Sequence, residues 1–358
     1  MSIFIDILRI VAAFGVFLGH TNFHWFFGKS SLGPQNGQDY VILFFVLSGF
    51  VISWSVDKKE TIHFKQYAFD RLTRLWSVAL PALLFGCILD YYGFLIHPET
   101  YESTVPKSHL GIKLLISSFF LHESWFFSIR PGSNAPFWSL SYEFFYYLIF
   151  GVITLVQSTR KKYFLLISSL LIAGPKVLLL FPCWLFGTMS YFLCRKFPIK
   201  ITSAIILVVP CGIFLMHRMS ERWYDWQPWD IPGLGMWPLF YSAKFLDDYA
   251  TAIAFSLFLY GSSYWFPLNR LTGPFDFLIK HIAGFSFSLY AIHFPLLCFI
   301  GALGSMGLLS ILNLGTATIL TLLCCYIFSF CFERPLTKYR SILFYFFPNV
   351  LKKCGIRC

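Results

Sequence analysis

Long apolar runs separated by short polar stretches make up almost the whole sequence. A transmembrane α-helix needs about 20 mainly apolar residues, and on this basis the pattern predicts about ten helices. They lie at 3–25, 38–56, 72–95, 136–157, 162–175, 177–194, 201–216, 249–266, 283–303 and 309–332. The two helices on either side of Gly174-Pro175 are short, which is typical of a tight helical hairpin or a partial span.

The segment 109–122 is also apolar, and counting it as a span would reverse the orientation of every later helix. With ten spans and a cytoplasmic N-terminus, 19 of the 28 Lys and Arg residues fall on the cytoplasmic side, as the positive-inside rule requires. We therefore predict an all-α integral membrane fold of about ten transmembrane helices, with 109–122 as a re-entrant or interfacial helix. Residues 1–340 form the transmembrane domain in this prediction, and residues 341–358 form a short basic cytoplasmic tail.

Composition agrees with a multi-pass membrane protein. Hydrophobic residues make up 57% of the chain and charged residues 13%, whereas soluble domains carry about a quarter charged residues. The net charge of +11 follows from basic residues in the short loops, so it indicates topology and no nucleic-acid partner. Most cysteines lie inside apolar runs, and their spacing predicts neither a disulfide framework nor a metal site.

Ionisable side chains inside membrane helices usually face a cavity or one another, so they are the first candidates for a site. In the stretch RIVAAFGVFLGH, Arg9 and His20 are eleven positions apart, which places them on one helix face about 16 Å apart. From the predicted boundaries, His20 and Glu143 lie at similar depth. A carboxylate beside an imidazole raises its basicity, as a general base for a hydroxyl requires, although two unrelated buried polar residues give the same pattern.

Arg71 and Arg74 are three positions apart at the start of the third predicted span. Together with Arg9 they would suit a polyphosphate from the cytosol, but ordinary arginines that flank a membrane helix look the same. His20 and His24 have the spacing of a two-histidine metal site, and without a third ligand nearby we predict no metal.

The polar stretch 217–248 contains four tryptophans and is external in this topology. They are Trp223, Trp226, Trp229 and Trp237. They predict either an interfacial aromatic belt or a surface on which sugar rings stack.

Six stretches, in order along nearly the whole chain, together resemble acyltransferase family 3, a family of bacterial membrane acyltransferases. They are ILRIVAAFGVFLGH at the start, FFVLSGFVIS (44–53), RLTRLWSVALP (71–81), FWSLSYEFFYYLIFG (137–151), SFSLYAIHFPL (286–296) and FERP (332–335). Each stretch alone is a weak signal, and it is their common order that carries the resemblance.

The resemblance implies an enzyme of the bacterial inner membrane that moves an acyl group, usually acetyl, from acetyl-coenzyme A to a hydroxyl of a cell-envelope glycan. O-antigen, exopolysaccharide or a lipid-linked glycan would be the acceptor partner, with membrane lipid around the protein. By motif position, His20 and Glu143 become catalytic, and Arg9, Arg71 and Arg74 become coenzyme A contacts. The remaining motif residues, which become substrate contacts, are His293, Trp138 and Tyr142.

Two questions stay open at the level of sequence. Direct attack of the acceptor on the thioester and transfer through an acyl-histidine are both compatible with His20. Buried Arg, His and Glu in about ten spans also describe a secondary transporter or a flippase of a lipid-linked glycan, although such carriers often contain an internal repeat and this sequence shows none.

Overall fold

The computed structural model describes residues 3–21, 37–59, 61–99, 101, 109–220, 238–266, 275–305, 314–353 and 355–356. This part of the chain forms α-helices and two short 3₁₀ helices, Ala135–Phe137 and Phe240–Ser242, and no β-strand. The α-helices are α1 Ile3–His20, α2 Gly37–Asp57, α3 Phe64–Ile96, α4 Leu110–Ser118, α5 Trp138–Leu155, α6 Thr159–Leu179, α7 Phe181–Lys196, α8 Ile201–Ser220, α9 Phe245–Ser262, α10 Asp276–Ala283, α11 Ser286–Ser305, α12 Leu314–Phe332, α13 Leu336–Phe346 and α14 Pro348–Lys353.

The predicted all-α membrane fold is confirmed. Among the residues described, eight helical segments are long and apolar enough to cross a membrane. The other two predicted spans also fold as helices, α7 and α9. The segment 109–122 contains only the nine-residue helix α4, which at about 14 Å is too short to cross a membrane core of about 30 Å. It therefore adds no span, as predicted.

Several predicted boundaries differ by a few residues from the observed ones, and two differences are larger. Helix α3 begins at Phe64 and not at residue 72, so its first two turns include polar residues that lie outside the apolar run. One of them, Asp70, lies 3.2 Å from Arg340 in α13. The predicted tail, 341–358, is itself helical over much of its described length, in the second half of α13 and in α14.

The predicted break at Gly174-Pro175 is present, since Gly174 separates two helical stretches within α6 by a backbone conformation that is not helical. Gly174 has φ 77° and ψ 170°, a conformation that L-residues with a side chain rarely adopt. Pro175 has no N–H, so the carbonyl of Leu171 loses its helical donor. The indole N–H of Trp125 donates to that carbonyl at 2.7 Å and so supplies the donor that the interrupted helix lacks.

The chain divides into two compact units. The first unit comprises the described residues within Met1–His20, Leu32–Glu60 and Pro175–Ala283. In it α2 and α7 pack at very close range, since a Cβ added to Gly49 or Gly187 would overlap a backbone carbonyl of the other helix. Small residues that let helix backbones approach are typical of contacts between membrane helices.

The second unit comprises the described residues within Thr21–Ser31, Thr61–Gly174 and Gly284–Cys358. The long helix α3 contacts both α5 and α11 within it. The ring of Tyr67 fills the space beside Gly151 of α5, and the ring of Pro295 in α11 lies against Gly86. These contacts fix the register of the three helices that carry most of the predicted site residues.

Candidate active site

Arg9 and His20 lie on the buried face of α1. Both belong to one uninterrupted helix, so the predicted spacing of about 16 Å along its axis holds. Val16 lies within about 40° of both around the axis and is completely buried. Ile7 and Val11, about 160° away from Arg9, are 40% and 46% exposed. The two polar side chains therefore share the packed face of the helix and not its exposed, apolar face.

The hydrogen bond of His20 determines which of its ring nitrogens is basic. Nδ1 lies 2.9 Å from the carbonyl oxygen of Val16. A carbonyl only accepts, so Nδ1 carries the proton in the neutral ring and the lone pair is on Nε2. This is the tautomer that a general base acting through Nε2 needs.

Arg9 is held near the start of α1 by a carboxylate. A guanidinium nitrogen of Arg9 lies 3.8 Å from Asp6, one turn earlier, and Asp6 is 5% exposed. Lys280 and Asp276 of α10, which are paired with each other, also lie within electrostatic range of Asp6. In the first unit, the side chains near the start of α1 and those of α10 therefore form a cluster of two cations and two carboxylates, in which Asp6 orients Arg9.

In the second unit, Arg71 and Arg74 lie near the start of α3 and have different surroundings. The Arg71 guanidinium lies 5.5 Å from the ring centroid of Tyr67, over its face. A guanidinium nitrogen of Arg74 lies 3.7 Å from the carboxylate of Glu333 at the end of α12. The Arg74 side chain is 39% exposed and that of Glu333 is 4% exposed, so a buried anion holds a half-exposed cation.

Glu333 also caps a helix. Its Oε2 accepts a hydrogen bond from the backbone N–H of Ser288 at 2.8 Å and another from the Ser288 hydroxyl at 2.8 Å. Ser288 is in the first turn of α11, where an N–H has no partner inside the helix and a negative charge is favourable. The carboxylate of the FERP stretch thus links α12, α11 and, through Arg74, α3.

Glu143 lies in the first half of α5, in the second unit. The Tyr147 hydroxyl, one turn further along α5, donates a hydrogen bond to the Glu143 carboxylate. Tyr67 donates to the backbone carbonyl of Tyr147 at 3.0 Å. The charges of both Arg71 and Glu143 act on the Tyr67 hydroxyl, which places the predicted acid and one of the predicted phosphate ligands around one phenol.

Trp138 and Tyr142, the predicted substrate contacts at the start of α5, are packed in the interior. Trp138 is 6% exposed and Tyr142 is 0% exposed, and their rings meet edge to face at 5.0 Å. Tyr142 meets Tyr146 in the same way at 6.2 Å. Their packing is that of a helix core, and their contact with a substrate stays a prediction.

His293 is completely buried in the middle of α11. Its Nδ1 lies 2.8 Å from the carbonyl oxygen of Leu289 and 3.0 Å from that of Tyr290. As in His20, the proton must therefore lie on Nδ1 and the lone pair of the neutral ring on Nε2. Both predicted histidines thus have the same tautomer, each fixed by its own helix backbone.

A family model described as an acyltransferase domain, that of acyltransferase family 3, matches residues 2–330. The chain belongs to this family. All eight predicted site residues lie inside the matched region. The chain is a multi-pass membrane protein of this family.

A named relative agrees with this assignment. The acyltransferase MdmB of Streptomyces mycarofaciens is 30% identical over 151 residues, which is 40% of this chain and 36% of that protein. The match thus spans little more than a third of the relative's length. No solved structure matches the chain.

The residues predicted for the family's site are divided between the units. Arg9 and His20 belong to the first unit, and Arg71, Arg74 and Glu143 to the second. The pairing of His20 with Glu143, and the joining of Arg9 to the other two arginines, combine residues of both units and stay predictions. His24 and the four tryptophans of the stretch 217–248 lie outside the described residues.

Sequence reasoning missed a polar network in the first unit. Asp39, near the start of α2, is completely buried and lies 3.3 Å from Arg218 of α8. It also accepts a hydrogen bond from Thr251 of α9 at 2.8 Å. Arg218 lies 3.6 Å from Asp247. The network joins α2, α8 and α9. The sequence signal for it is Asp39, a carboxylate within an apolar run.

The irregular segment 119–137 was also missed as a structural feature. Pro295 removes the helical donor of the Ala291 carbonyl in α11, and the Asn134 amide donates to that carbonyl at 2.8 Å. Asn134 is 2% exposed. Irregular backbone within a membrane protein is tolerated where protein satisfies its polar groups, and this segment in turn satisfies those of α11.

The hydroxyls of Ser139 and Tyr290 complete the contact between α5 and α11. Tyr290 donates to the carbonyl of Pro136 at 2.6 Å, so its only proton is used there. Ser139, 2.5 Å away, must therefore donate to the Tyr290 oxygen. Ser139, Glu143 and Tyr147 follow one another at intervals of four residues, which makes a polar stripe along one side of α5.

Proposed function

We propose that this protein is an acyltransferase that uses acetyl-coenzyme A as its donor and acetylates a hydroxyl of a cell-envelope glycan, such as O-antigen or exopolysaccharide, in the bacterial inner membrane. The observation that carries the proposal is the state of His20. Its Nδ1 is bonded to the Val16 carbonyl at 2.9 Å, and it shares the buried face of α1 with Arg9. A base with its lone pair on Nε2 and a cation about 16 Å away fit a thioester whose phosphates lie at the far end of a long arm.

Arginines are suited to the donor because guanidinium groups bind phosphate oxygens in a bidentate manner. Arg74 supports this role best in the second unit. Its side chain is 39% exposed, so it has room for a ligand, and Glu333 restricts its position from the buried side. In this proposal Arg9 and Arg71 supply the remaining positive charge.

The proposed chemical step is a proton transfer coupled to attack. His20 Nε2 takes the proton of the acceptor hydroxyl as that oxygen bonds to the thioester carbonyl carbon. The carbon–sulfur bond then breaks, and the thiolate of coenzyme A leaves and takes up the proton from the imidazolium. The products are the ester and free coenzyme A.

The test is acetyl transfer by the purified full chain in lipid nanodiscs. Radiolabelled acetyl-coenzyme A is supplied together with envelope glycan from a strain that lacks the gene, and the label in the glycan is counted. His20→Ala should reduce the transfer at least about 100-fold, the scale of general base catalysis. His217→Ala, which changes an exposed histidine in the last turn of α8, is the matched control and should transfer as the unmodified protein does.

Two results would contradict the proposal. One is normal acetylation by His20→Ala. The other is movement of a glycan across the membrane by the unmodified protein without consumption of coenzyme A. The protein level and gel-filtration profile of each variant separate loss of chemistry from loss of fold.

A further inference from the structure

Four buried polar atoms without a hydrogen-bond partner among the described residues lie at one place in the second unit. They are Asp90 Oδ1, the Tyr101 hydroxyl, Ser133 Oγ and Asn134 Oδ1. Their residues are 8%, 2%, 0% and 2% exposed. Buried polar groups in proteins are nearly always hydrogen-bonded, and four exceptions at one place need an explanation.

The backbone of Gly132 and Ser133 positions the Asp90 carboxylate within this group of atoms. The Ser133 N–H donates to the other oxygen of Asp90, Oδ2, at 2.7 Å. Gly132 has φ 65°, and a Cβ there would overlap Asp90 Oδ2, so only glycine permits this approach. The loop therefore donates a hydrogen bond to Oδ2 of Asp90 and leaves Oδ1 without a donor among the described residues.

Tyr101 and residues of α11 form the rest of the environment of Asp90 Oδ1. The Tyr101 hydroxyl lies against Gly93, one turn beyond Asp90 on α3, and within electrostatic range of Asp90. The Ser133 hydroxyl lies beside both the Asp90 carboxylate and the Cys298 thiol, without the geometry of a hydrogen bond to a described residue. Asn134 is anchored through its amide nitrogen on the Ala291 carbonyl, which leaves its Oδ1 as the atom without a partner.

The chemistry of the four atoms selects the ligand. A carboxylate oxygen and an amide oxygen only accept, whereas a serine and a tyrosine hydroxyl accept or donate. Burial raises the pKa of Tyr101, so its hydroxyl keeps its proton. The set complements a molecule with several O–H donors. A divalent cation fits less well, since Asp90 is the single carboxylate and the Arg130 cation acts on the adjoining Cys298 thiol.

We propose that Asp90, Tyr101, Ser133 and Asn134 form a binding subsite for a hydroxyl-rich ligand, a sugar, and that it holds the acceptor during acyl transfer. Its assignment to the acceptor rests on the proposed function. The binding of a sugar does not.

One substitution isolates the atom on which the proposal depends. In Asp90→Asn the amide oxygen still accepts the Ser133 N–H, whereas the position of the unpartnered oxygen is taken by an NH₂ group that cannot accept. A second variant, Ser133→Ala, removes a hydroxyl that bonds no described residue and so should leave the fold intact. The matched control is Ser169→Ala, a buried serine of the same unit whose hydroxyl bonds its own helix at 2.6 Å.

The probe is octyl β-D-glucopyranoside, which carries four sugar hydroxyls on an apolar chain. The full-length protein is purified in a sugar-free polyoxyethylene detergent, and its melting temperature is measured as the glucoside is titrated below its micelle concentration. An octyl polyoxyethylene ether, which has the same apolar chain and a single terminal hydroxyl in place of the sugar, serves as the control probe. A ligand that binds only the native state raises the melting temperature. We expect a rise with the glucoside alone, and an apparent affinity at least about tenfold weaker in Asp90→Asn, because a bond to a charged oxygen is lost.

Each other outcome overturns the proposal. An equal response of Asp90→Asn and the unmodified protein means that the glucoside binds elsewhere, and no response of the unmodified protein means that no sugar binds. A rise with sodium or calcium chloride that is lost in Asp90→Asn identifies a cation site instead. A response lost equally in Ser169→Ala shows a general loss of stability.

The same probe separates this inference from the proposed function. Acetyl transfer from acetyl-coenzyme A to the glucoside is followed by mass spectrometry. If binding depends on Asp90 but His20→Ala still acetylates, the proposed function fails and the subsite remains. If acetylation by Asp90→Asn has the same acceptor KM as the unmodified protein, the subsite fails and the proposed function remains.

Discussion

Asn134→Ala should destabilise the protein because of a proline that lies 161 positions away in the sequence. Pro295 deprives the Ala291 carbonyl of its helical donor, and the Asn134 amide replaces that donor at 2.8 Å. Ala291 is 1% exposed, so no solvent reaches the carbonyl when the amide is removed. Leaving a buried carbonyl unsatisfied costs about 1–3 kcal/mol, to which the smaller side chain adds a cavity term.

A double-mutant cycle separates the two contributions. In Pro295→Ala, residue 295 regains an N–H that donates to Ala291, whereas the cavity left by Asn134→Ala is the same in both backgrounds. The cost of Asn134→Ala should therefore be about 1–2 kcal/mol smaller in the Pro295→Ala background. The measurement is the free energy of unfolding of all four proteins, from titration of mixed micelles with sodium dodecyl sulfate. An equal cost in both backgrounds would refute the reasoning, since the bond to the carbonyl would then contribute nothing.

Two further predictions concern packing and donor binding. Gly49→Ala places a methyl group against the Trp184 carbonyl, a backbone group that cannot move aside, and should lower the free energy of unfolding by about 2–3 kcal/mol. The control is Gly37→Ala, where the new Cβ contacts nothing. Similar melting temperatures for the two variants would contradict the prediction. Arg74→Ala should raise the KM for acetyl-coenzyme A about tenfold. The control, Arg195→Ala, breaks an exposed ion pair in the first unit and should leave this KM unchanged. If Arg74→Ala changes only the KM for the acceptor, Arg74 does not contact the phosphates of the donor.

The helices, and the placing of Arg9 and His20 on one side of α1, could be predicted because they depend on local periodicity. Eleven helical steps return to nearly the same direction whatever surrounds the helix. The observed burial of that face shows which side of α1 packs, and the hydrogen bond to Val16 shows which nitrogen is basic. Neither follows from spacing, since both depend on neighbours outside the stretch.

The Asp90 cluster could have been found only in part. Asp90 lies inside the predicted span 72–95, and an ionisable residue in an apolar run is a signal by itself. Ser133 and Asn134 gave no such signal, because serine and asparagine are common in any loop. Their importance comes from Gly132, whose conformation brings the loop onto the carboxylate, and a lone glycine does not reveal its φ angle in the sequence.

The kinks explain why the loop 119–137 could not be predicted from its own residues. Pro175 and Pro295 each free a carbonyl in a different helix, and Trp125 and Asn134 from this one loop donate to the two carbonyls, at 2.7 and 2.8 Å. A proline in a sequence indicates that a donor is missing, but not which distant side chain supplies it. Once both bonds are made, the loop is fastened to α6 at one end and to α11 at the other. The hydrogen bond from the Asn134 amide to the Ala291 carbonyl also fixes the position of Asn134 Oδ1, the atom without a partner among the described residues. The proline in α11 that leaves this carbonyl without a helical donor thus helps to orient part of the proposed sugar subsite.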